Sequence, residues 1–348
     1  MNYKVVICGS TFGSMYVEAI KHIPNIELIG ILSTGSNRSK QLAIKENIKI
    51  FTKVDQIPDD ISIGIVAIKS SILGGHGTEI AKSLLNKKIN VIQEHPLSSG
   101  EIIECYKLSL QNGVKYKIGD LYSRLDSVKT FIKTANLLNN LENIEHISVL
   151  TSSQGLYSLI SILAKAVNDF GDFQISNKGE ANKYPFANII GKINNTTVHI
   201  QIHNEVDDKH PNDNMHILHR VIFFYESGRL ELNDTFGSVI WRSRMNILNF
   251  NDTLDDSKNS DVCYVVCDEK EMDYSELMNI NYPIAIAEDI ISFIDCINSK
   301  DNSINAQKDF LVSDKWSECT KISGFPKSIN YELKHFNIID LLKEQGDG

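Results

Sequence analysis

Short apolar, β-branched runs alternate with helix-periodic stretches across the first 120 residues, and this alternation constrains the fold more than any other feature. "YKVVICG" reads as a strand, "GSMYVEAIKHI" as a helix with apolar residues at helical spacing, "IELIGILS" as a strand and "NRSKQLAIKEN" as a helix. The series continues through "IKIFTK", "IGIVAI", "TEIAKSLLNK", "INVIQE", "GEIIECYKLSLQNG" and "VKYKIG". Strands that are apolar along nearly their whole length, separated by helices, specify a parallel sheet covered on both faces. The expected fold class is therefore α/β, with a doubly wound Rossmann domain over residues 1–122.

After Tyr122 the texture changes. Two helical stretches, "LDSVKTFIKTANLLNN" and "GLYSLISILAKAVNDF", flank a strand, "HISVLTSS". Alternating runs follow, "TTVHIQIHNEV", "LHRVIFFYE" and "GRLELND", joined by Asn-, Gly- and Asp-rich turns. "NNTTVHI" and "ESGRLEL" mark two hairpins. Residues 123–348 are thus expected to form an α+β domain with a largely antiparallel sheet. A late helix, "PIAIAEDIISFIDCIN", is the clearest element of the last third, and the C-terminal helices can return to the first domain.

A chain of 348 residues exceeds what one hydrophobic core usually organises, which agrees with two domains. The net charge of −9 argues against nucleic acid, which requires a basic face. No apolar run approaches the roughly 20 residues needed to span a bilayer, and "MNYKVVICGS" lacks the layout of a signal peptide, so no membrane association and a cytoplasmic location are expected. The six cysteines show neither CxxC pairs nor dense spacing and read as reduced thiols.

In "VVICGSTFGS", Gly9 ends the first strand and Gly13 opens the first helix, with Thr11 and Phe12 between them. Such a turn brings a pyrophosphate onto a helix N-terminus. Aligned on Gly9, the usual second and third glycines are Thr11 and Ser14, so a plain strand-to-helix turn is the alternative. In "LSTGSNRSK", Ser33 stands where an NAD site usually has an acid, and Ser36, Asn37, Arg38 and Ser39 follow. A guanidinium among hydroxyls suits a 2′-phosphate, which points to NADPH/NADP+ as the cofactor. The alternative is a solvated helix start with Ser36 as its cap.

"VIQEHPLSSGE" puts Glu94 and His95 at the end of a strand, where the nicotinamide of a doubly wound fold lies, with Glu94 a cofactor contact. The stretch resembles the Glu-Lys-Pro motif of the Gfo/Idh/MocA oxidoreductases, in which the lysine serves as acid and base for hydride transfer at a sugar alcohol. Those enzymes also carry an Asp and a His one helical turn apart on the helix that opens the second domain. Here that helix reads "QGLYSLISILAKAV", with Ser161 near the Asp position and no histidine after it.

One branch of the superfamily carries Glu-His-Pro. The chain resembles the thiazolinyl imine reductases of siderophore biosynthesis through "CGSTFG", "GILSTGSNRS", "SILGGHGTEIAKSLL", "VIQEHPLSSGE", "SSQGLYSLI" and "LHRVIFFYESGRLELNDTFGSVIW", over most of the first 245 residues. The resemblance implies His95 and Tyr122 as candidate general acids, NADPH as reductant, and a thiazoline held on a carrier domain of a nonribosomal peptide synthetase as substrate. It also implies a homodimer built on the exposed face of the antiparallel sheet. Reduction of a C=N bond needs a hydride at carbon and a proton at nitrogen, and an imidazole near neutral pH can supply the proton. Rival readings are a sugar or polyol dehydrogenase with His95 as base, and a noncatalytic NADP-binding protein.

Two further motifs carry lesser expectations. Gly75 in "SILGGHGTE" is a candidate for close backbone approach to the cofactor, whereas His76 is incidental. His199, His203, His210, His216 and His219, with Asp207 and Asp208, invite a metal reading. Strand alternation and a solvated acidic loop account for them, so no metal is expected.

Overall fold

The computed structural model describes residues 2–176, 184–211, 213–245, 262–299 and 306–331. The first domain comprises β1 (Tyr3–Cys8), α1 (Gly13–Ile20), β2 (Ile26–Leu32), α2 (Asn37–Glu46) and β3 (Lys49–Phe51). It continues through β4 (Ile63–Val66), α3 (Gly77–Asn86), β5 (Asn90–Gln93), α4 (Ser99–Asn112) and β6 (Tyr116–Ile118). The strands form one parallel sheet in the order β3-β2-β1-β4-β5-β6. Alternate residues of β1 feed opposite layers: Val5 and Ile7 pack with α1, Val6 and Cys8 with α3 and α4. That two-sided burial is why these strands read as continuous apolar runs. The chain order reverses between β1 and β4, which opens a crevice beyond their carboxyl ends.

The second domain begins with α5 (Asp126–Leu138), β7 (His146–Ser152) and α6 (Leu156–Ala166). Strands β8 (Phe173–Ser176), β9 (Phe186–Ile193), β10 (Thr196–His203), β11 (Glu205–Asp207), β12 (His219–Phe224), β13 (Gly228–Leu232), β14 (Val239–Ser243) and β15 (Cys263–Cys267) follow. An eight-stranded sheet runs β15-β14-β13-β12-β7-β10-β9-β8. It is antiparallel at every pairing but one, since β10 lies parallel to β7. Both expected hairpins form, β9 with β10 around Asn194 at φ +52° and β12 with β13 around Gly228. The inner face packs on α5 and α6, with Phe131 edge-on to Phe223 at 5.1 Å.

The last helices, α7 (Tyr282–Asn298) and α8 (Ala306–Ser323), run back over the first domain. Ile286, Ile290 and Phe293 of α7 share a core with Val17 and Ile20 of α1, and Tyr3 donates to Asn298 at 2.6 Å. α8 lies between α4 and α6, where Ser313 donates to the Leu97 carbonyl at 2.6 Å and Tyr106 to Asp309 at 2.5 Å. A short β16 (Lys327–Ile329) pairs with β11. All six cysteines are unpaired, and among the described residues no helix is long and apolar enough to cross a membrane.

Candidate active site

The crevice begins at Gly9. Its φ of +100° and the position of a hypothetical Cβ, 2.8 Å from the Ala67 carbonyl oxygen, both demand glycine. Gly13 is less constrained, with a Cβ meeting the Ile7 side chain at 3.0 Å. Ser36 and Ser98 cap α2 and α4, but no side chain caps α1, whose N-cap is Phe12 and whose first turn has no acid. The first amides of α1 therefore point uncapped into the crevice, a fit for a pyrophosphate.

The opposite rim comes from the turn after β2. Ser33 accepts the Gly35 amide at 3.2 Å, and Ser36 accepts that of Ser39 at 3.3 Å. Arg38 reaches across to donate to Thr11 at 2.8 Å, so Thr11, Ser33, Ser36, Asn37 and Arg38 edge one end of the crevice. Ser39 does not join them: it is buried, with its hydroxyl donated to the Ser36 carbonyl at 2.8 Å. Gly75 has a reason internal to the chain, because a Cβ there would stand 2.0 Å from the Lys69 carbonyl oxygen. His76 is exposed at the start of α3.

Glu94 and His95 leave β5 in opposite surroundings. The Tyr16 hydroxyl from α1 donates to the Glu94 carboxylate, and Gly119 makes the space, since a Cβ there would meet both groups within 2.8 Å. Burial pushes Glu94 up to about 7; the Tyr16 bond opposes this, and the carboxylates of Asp289 and Asp120 add to it. His95 stacks face to face on Tyr157 of α6, with ring centroids 4.7 Å apart and planes 9° from parallel. Its Nδ1 is enclosed without a hydrogen-bond partner, as is the Tyr157 hydroxyl. Burial lowers His95 to about 4, with Asp120 pulling up and Lys165 pulling down. The ring is therefore neutral at pH 7, which corrects the expectation of an imidazole poised near neutrality.

Tyr122 occupies a single 3₁₀ turn, Tyr122–Arg124, between the domains. Its ring meets His219 of β12 edge-on at 5.0 Å and its hydroxyl is bonded to Tyr282. Burial, with the Glu94 carboxylate adding, pushes it up to about 12. His219 is held in one tautomer. Its Nε2 faces the Gly155 carbonyl at 3.2 Å and Ser158 at 2.7 Å, and the Ser158 hydroxyl is itself donated to Gly155. Thr235 accepts the His219 amide at 3.1 Å and lies 3.0 Å from Nδ1, while the Gly155 carbonyl can only accept from Nε2. Nε2 thus carries the proton, and burial lowers this histidine to about 3. Ser158 adjoins Tyr157, so His95 and Tyr122 lie in one neighbourhood on either side of the first turn of α6.

A cavity of about 480 Å³ opens between the domains, with His95, Tyr157, Ser158, Ser161, Lys165 and Asp120 among its walls. Several of its charges are paired. Lys165 bonds to Asp120 and to Ser123 at 2.9 Å, while Lys117 and Arg124 bind the buried Asp289 of α7 at 2.5 and 3.4 Å. Burial works against the Asp120 charge, but the Lys165 ammonium and the Ser123 hydroxyl hold it well below the usual carboxylate range. Tyr16, Tyr157, Asp120 and Lys165 are not among the residues singled out by sequence. The available signal was three polar residues, Tyr157, Ser161 and Lys165, at four-residue spacing on a helix of mostly buried apolar positions.

The histidine-rich segment is dispersed. His199 points outward against His146 at 4.9 Å, whereas His203 is buried beside His216. Asp207 accepts from the Lys209 amide at 2.9 Å and from Asn214 at 2.5 Å. Among the described residues no three His, Cys, Asp or Glu side chains gather at metal-binding spacing.

Comparison with known proteins accords with this layout. Residues 3–120 match the model of the Gfo/Idh/MocA oxidoreductase family, NAD-binding Rossmann fold, and residues 142–242 match that of the thiazolinyl imine reductase Irp3-like C-terminal region. No curated protein matches the sequence. Among solved structures, an oxidoreductase from Agrobacterium radiobacter in complex with NAD+, L-tartaric acid and magnesium is similar in fold. It is 10% identical, with 93% of this chain and 96% of that chain covered and a TM-score of 0.69. GenD2 from gentamicin A biosynthesis, in complex with NAD, is 11% identical over 92% of this chain and 94% of its own, with a TM-score of 0.66. KijD10, a 3-ketoreductase from Actinomadura kijaniata in complex with NADP, is 11% identical over 95% and 100%, with a TM-score of 0.62. The chain is thus an oxidoreductase whose first domain is of the Gfo/Idh/MocA NAD-binding Rossmann type and whose second is of the thiazolinyl imine reductase Irp3-like type.

Proposed function

We propose that this oxidoreductase uses NADPH to reduce a thiazoline ring to a thiazolidine, on an intermediate held as a thioester by a carrier domain in nonribosomal siderophore synthesis. The observation that carries the reading is His95: a neutral imidazole with an unpartnered, enclosed nitrogen on the wall of an interdomain cavity. It stands where the sugar-oxidising relatives have a lysine, and Ser161 replaces their carboxylate. The Irp3-like match of the second domain supports the same substrate.

The uncapped amides of α1 and the rim of Thr11, Ser33 and Arg38 would hold NADPH, which would supply the hydride that the imine carbon requires. The chain must deliver a proton to the ring nitrogen, and His95 and Tyr122 are the two groups offered for it. A neutral imidazole can release its N–H proton only while a proton reaches its other nitrogen. Tyr122, pushed up to about 12, keeps its proton at neutral pH and can donate it or orient a water. Preference for NADPH over NADH is supported by Ser33 in place of an acid and by Arg38 held beside Thr11. Unpaired cysteines accord with a cytoplasmic location. The outer face of the large sheet, with Ile190 exposed and Ile222 and Phe224 half-buried, suits a second copy of the chain.

The test is NADPH oxidation with a hydroxyphenyl-thiazoline thioester mimic or its carrier-loaded form, comparing the parent with His95→Ala and Tyr122→Phe. Turnover should fall at least about tenfold in one of them while NADPH affinity is retained. Turnover of free sugars or polyols with NADP+, and none of the thiazoline, would replace this reading by a dehydrogenase.

A further inference from the structure

Lys165 has no part in the proposed reduction, yet it is a charged residue on a helix whose positions are mostly buried. Tyr157, Ser161 and Lys165 follow at four-residue spacing on α6, and all three line the cavity that His95 lines. Rather than extending into water, Lys165 turns inward onto Asp120 and Ser123, which belong to the loop after β6. The ion pair therefore bridges the two domains across the cavity, beside the imidazole.

We propose that Lys165, clamped by Asp120, is a positioning residue that tunes the proton affinity of the His95 ring, in addition to the enclosure that keeps the ring neutral at pH 7. The proposal rests on the reading of His95 as the group that handles the proton. Its physical content is a matter of sign. The Asp120 carboxylate favours the imidazolium and the Lys165 ammonium disfavours it, so each cancels part of the other.

Most of the other charged and titratable groups near His95 have partners of their own, and Lys308 of α8 stands beside Asp309 as a further positive charge. Glu94 takes the Tyr16 hydroxyl, and Lys117 and Arg124 are both on Asp289. From α8, Asp309 takes the Tyr106 hydroxyl beside Lys308, and His219 is fixed in its neutral tautomer by Thr235 and Gly155. Tyr157 contributes a neutral ring in contact with His95. Removing one member of the Lys165–Asp120 pair unbalances the ring; removing both restores it.

The test follows the His95 imidazole by NMR in protein labelled at the histidine ring carbons, with the resonance assigned by its loss in His95→Gln. Lys165→Met should raise the midpoint of the titration by about half a pH unit or more, and Asp120→Asn should lower it. The double variant should return close to the parent, and Lys165→Arg, which keeps the charge, should resemble the parent. A structural role would not produce opposite signs that cancel. Movement of both single variants in one direction, or no movement in either, overturns the proposal. If Lys165→Met does not fold, Asp120→Asn decides alone: a midpoint unchanged or raised overturns it. Turnover of the thiazoline mimic is read separately. The signed pattern without turnover leaves the proposal standing and removes the imine-reductase reading; turnover without the pattern does the reverse.

Discussion

Arg38→Ala should separate the two nicotinamide cofactors. In the parent the guanidinium lies at the crevice rim, anchored to Thr11 at 2.8 Å, beside the neutral side chains of Ser33, Ser36 and Asn37. A hydrogen bond to a charged group contributes roughly 1.5–3 kcal/mol. Because Arg38 is exposed and screened by salt, the lower part of that range applies, about 1.5–2 kcal/mol, or roughly 10–30-fold in Kd for NADPH. NADH, which lacks the 2′-phosphate, should change by less than about twofold. The helix itself should be untouched, since Ser36 still caps α2 and alanine is a good helix former. Isothermal calorimetry with both cofactors, at low and physiological salt, measures the difference directly. Equal weakening of the two, or an unchanged NADPH affinity, would refute the assignment of this rim to the 2′-phosphate.

Two further outcomes test the electrostatics. Glu94 is raised to about 7 by burial, so between about pH 4.5 and 7 the folded protein retains a proton that the unfolded chain has released; stability present below that window is lost as pH rises through it. Glu94→Gln should remove that slope, an effect on the order of 2 kcal/mol, seen by urea unfolding of parent and variant at both ends of the window. Asp289→Ala strips the partner from Lys117, Arg124 and the Asp120 amide, and should cost about 3 kcal/mol. The low end of the range for a broken buried pair applies because Lys117 and Arg124 can still reach water, and a change below about 1 kcal/mol in chemical denaturation would contradict the hub role.

Much of the fold was legible because its determinants are local. The βα alternation of the first domain needs only the period of each segment, and the turn residues of the β9–β10 and β12–β13 hairpins stand between alternating runs. Pairings made at long range left no such mark. The parallel contact of β7 with β10 joins His146 to Thr197, and α7 docks on α1 across almost the whole chain. The site divides in the same way. Gly9, Gly13 and the Arg38 turn are read from the first two strands, whereas Ser39 faces inward because the cap of α2 uses its hydroxyl, a detail of rotation that composition does not encode. The protonation of His95 was out of reach from sequence because α6 of the second domain supplies its enclosure through Tyr157.

Two of the basic residues that line the cavity, His95 and Lys165, stand in reverse of what the sugar-oxidising pattern leads one to expect: imidazole at the strand end, ammonium one helical turn beyond Ser161. Desolvation explains why the exchange matters. An ammonium at position 95 would be enclosed between Tyr157 and the cofactor crevice, where burial disfavours the charged form. At position 165 it is about 30% exposed and answered by Asp120. The Lys165–Asp120 pair therefore sits on the wetter side of the cavity, and the enclosed side holds a neutral ring whose Nδ1 has no hydrogen-bond partner. For an acceptor that becomes a neutral amine after taking a hydride and a proton, the proton must come from a donor such as the Tyr122 hydroxyl or water, and a neutral ring beside the product adds no charge to it.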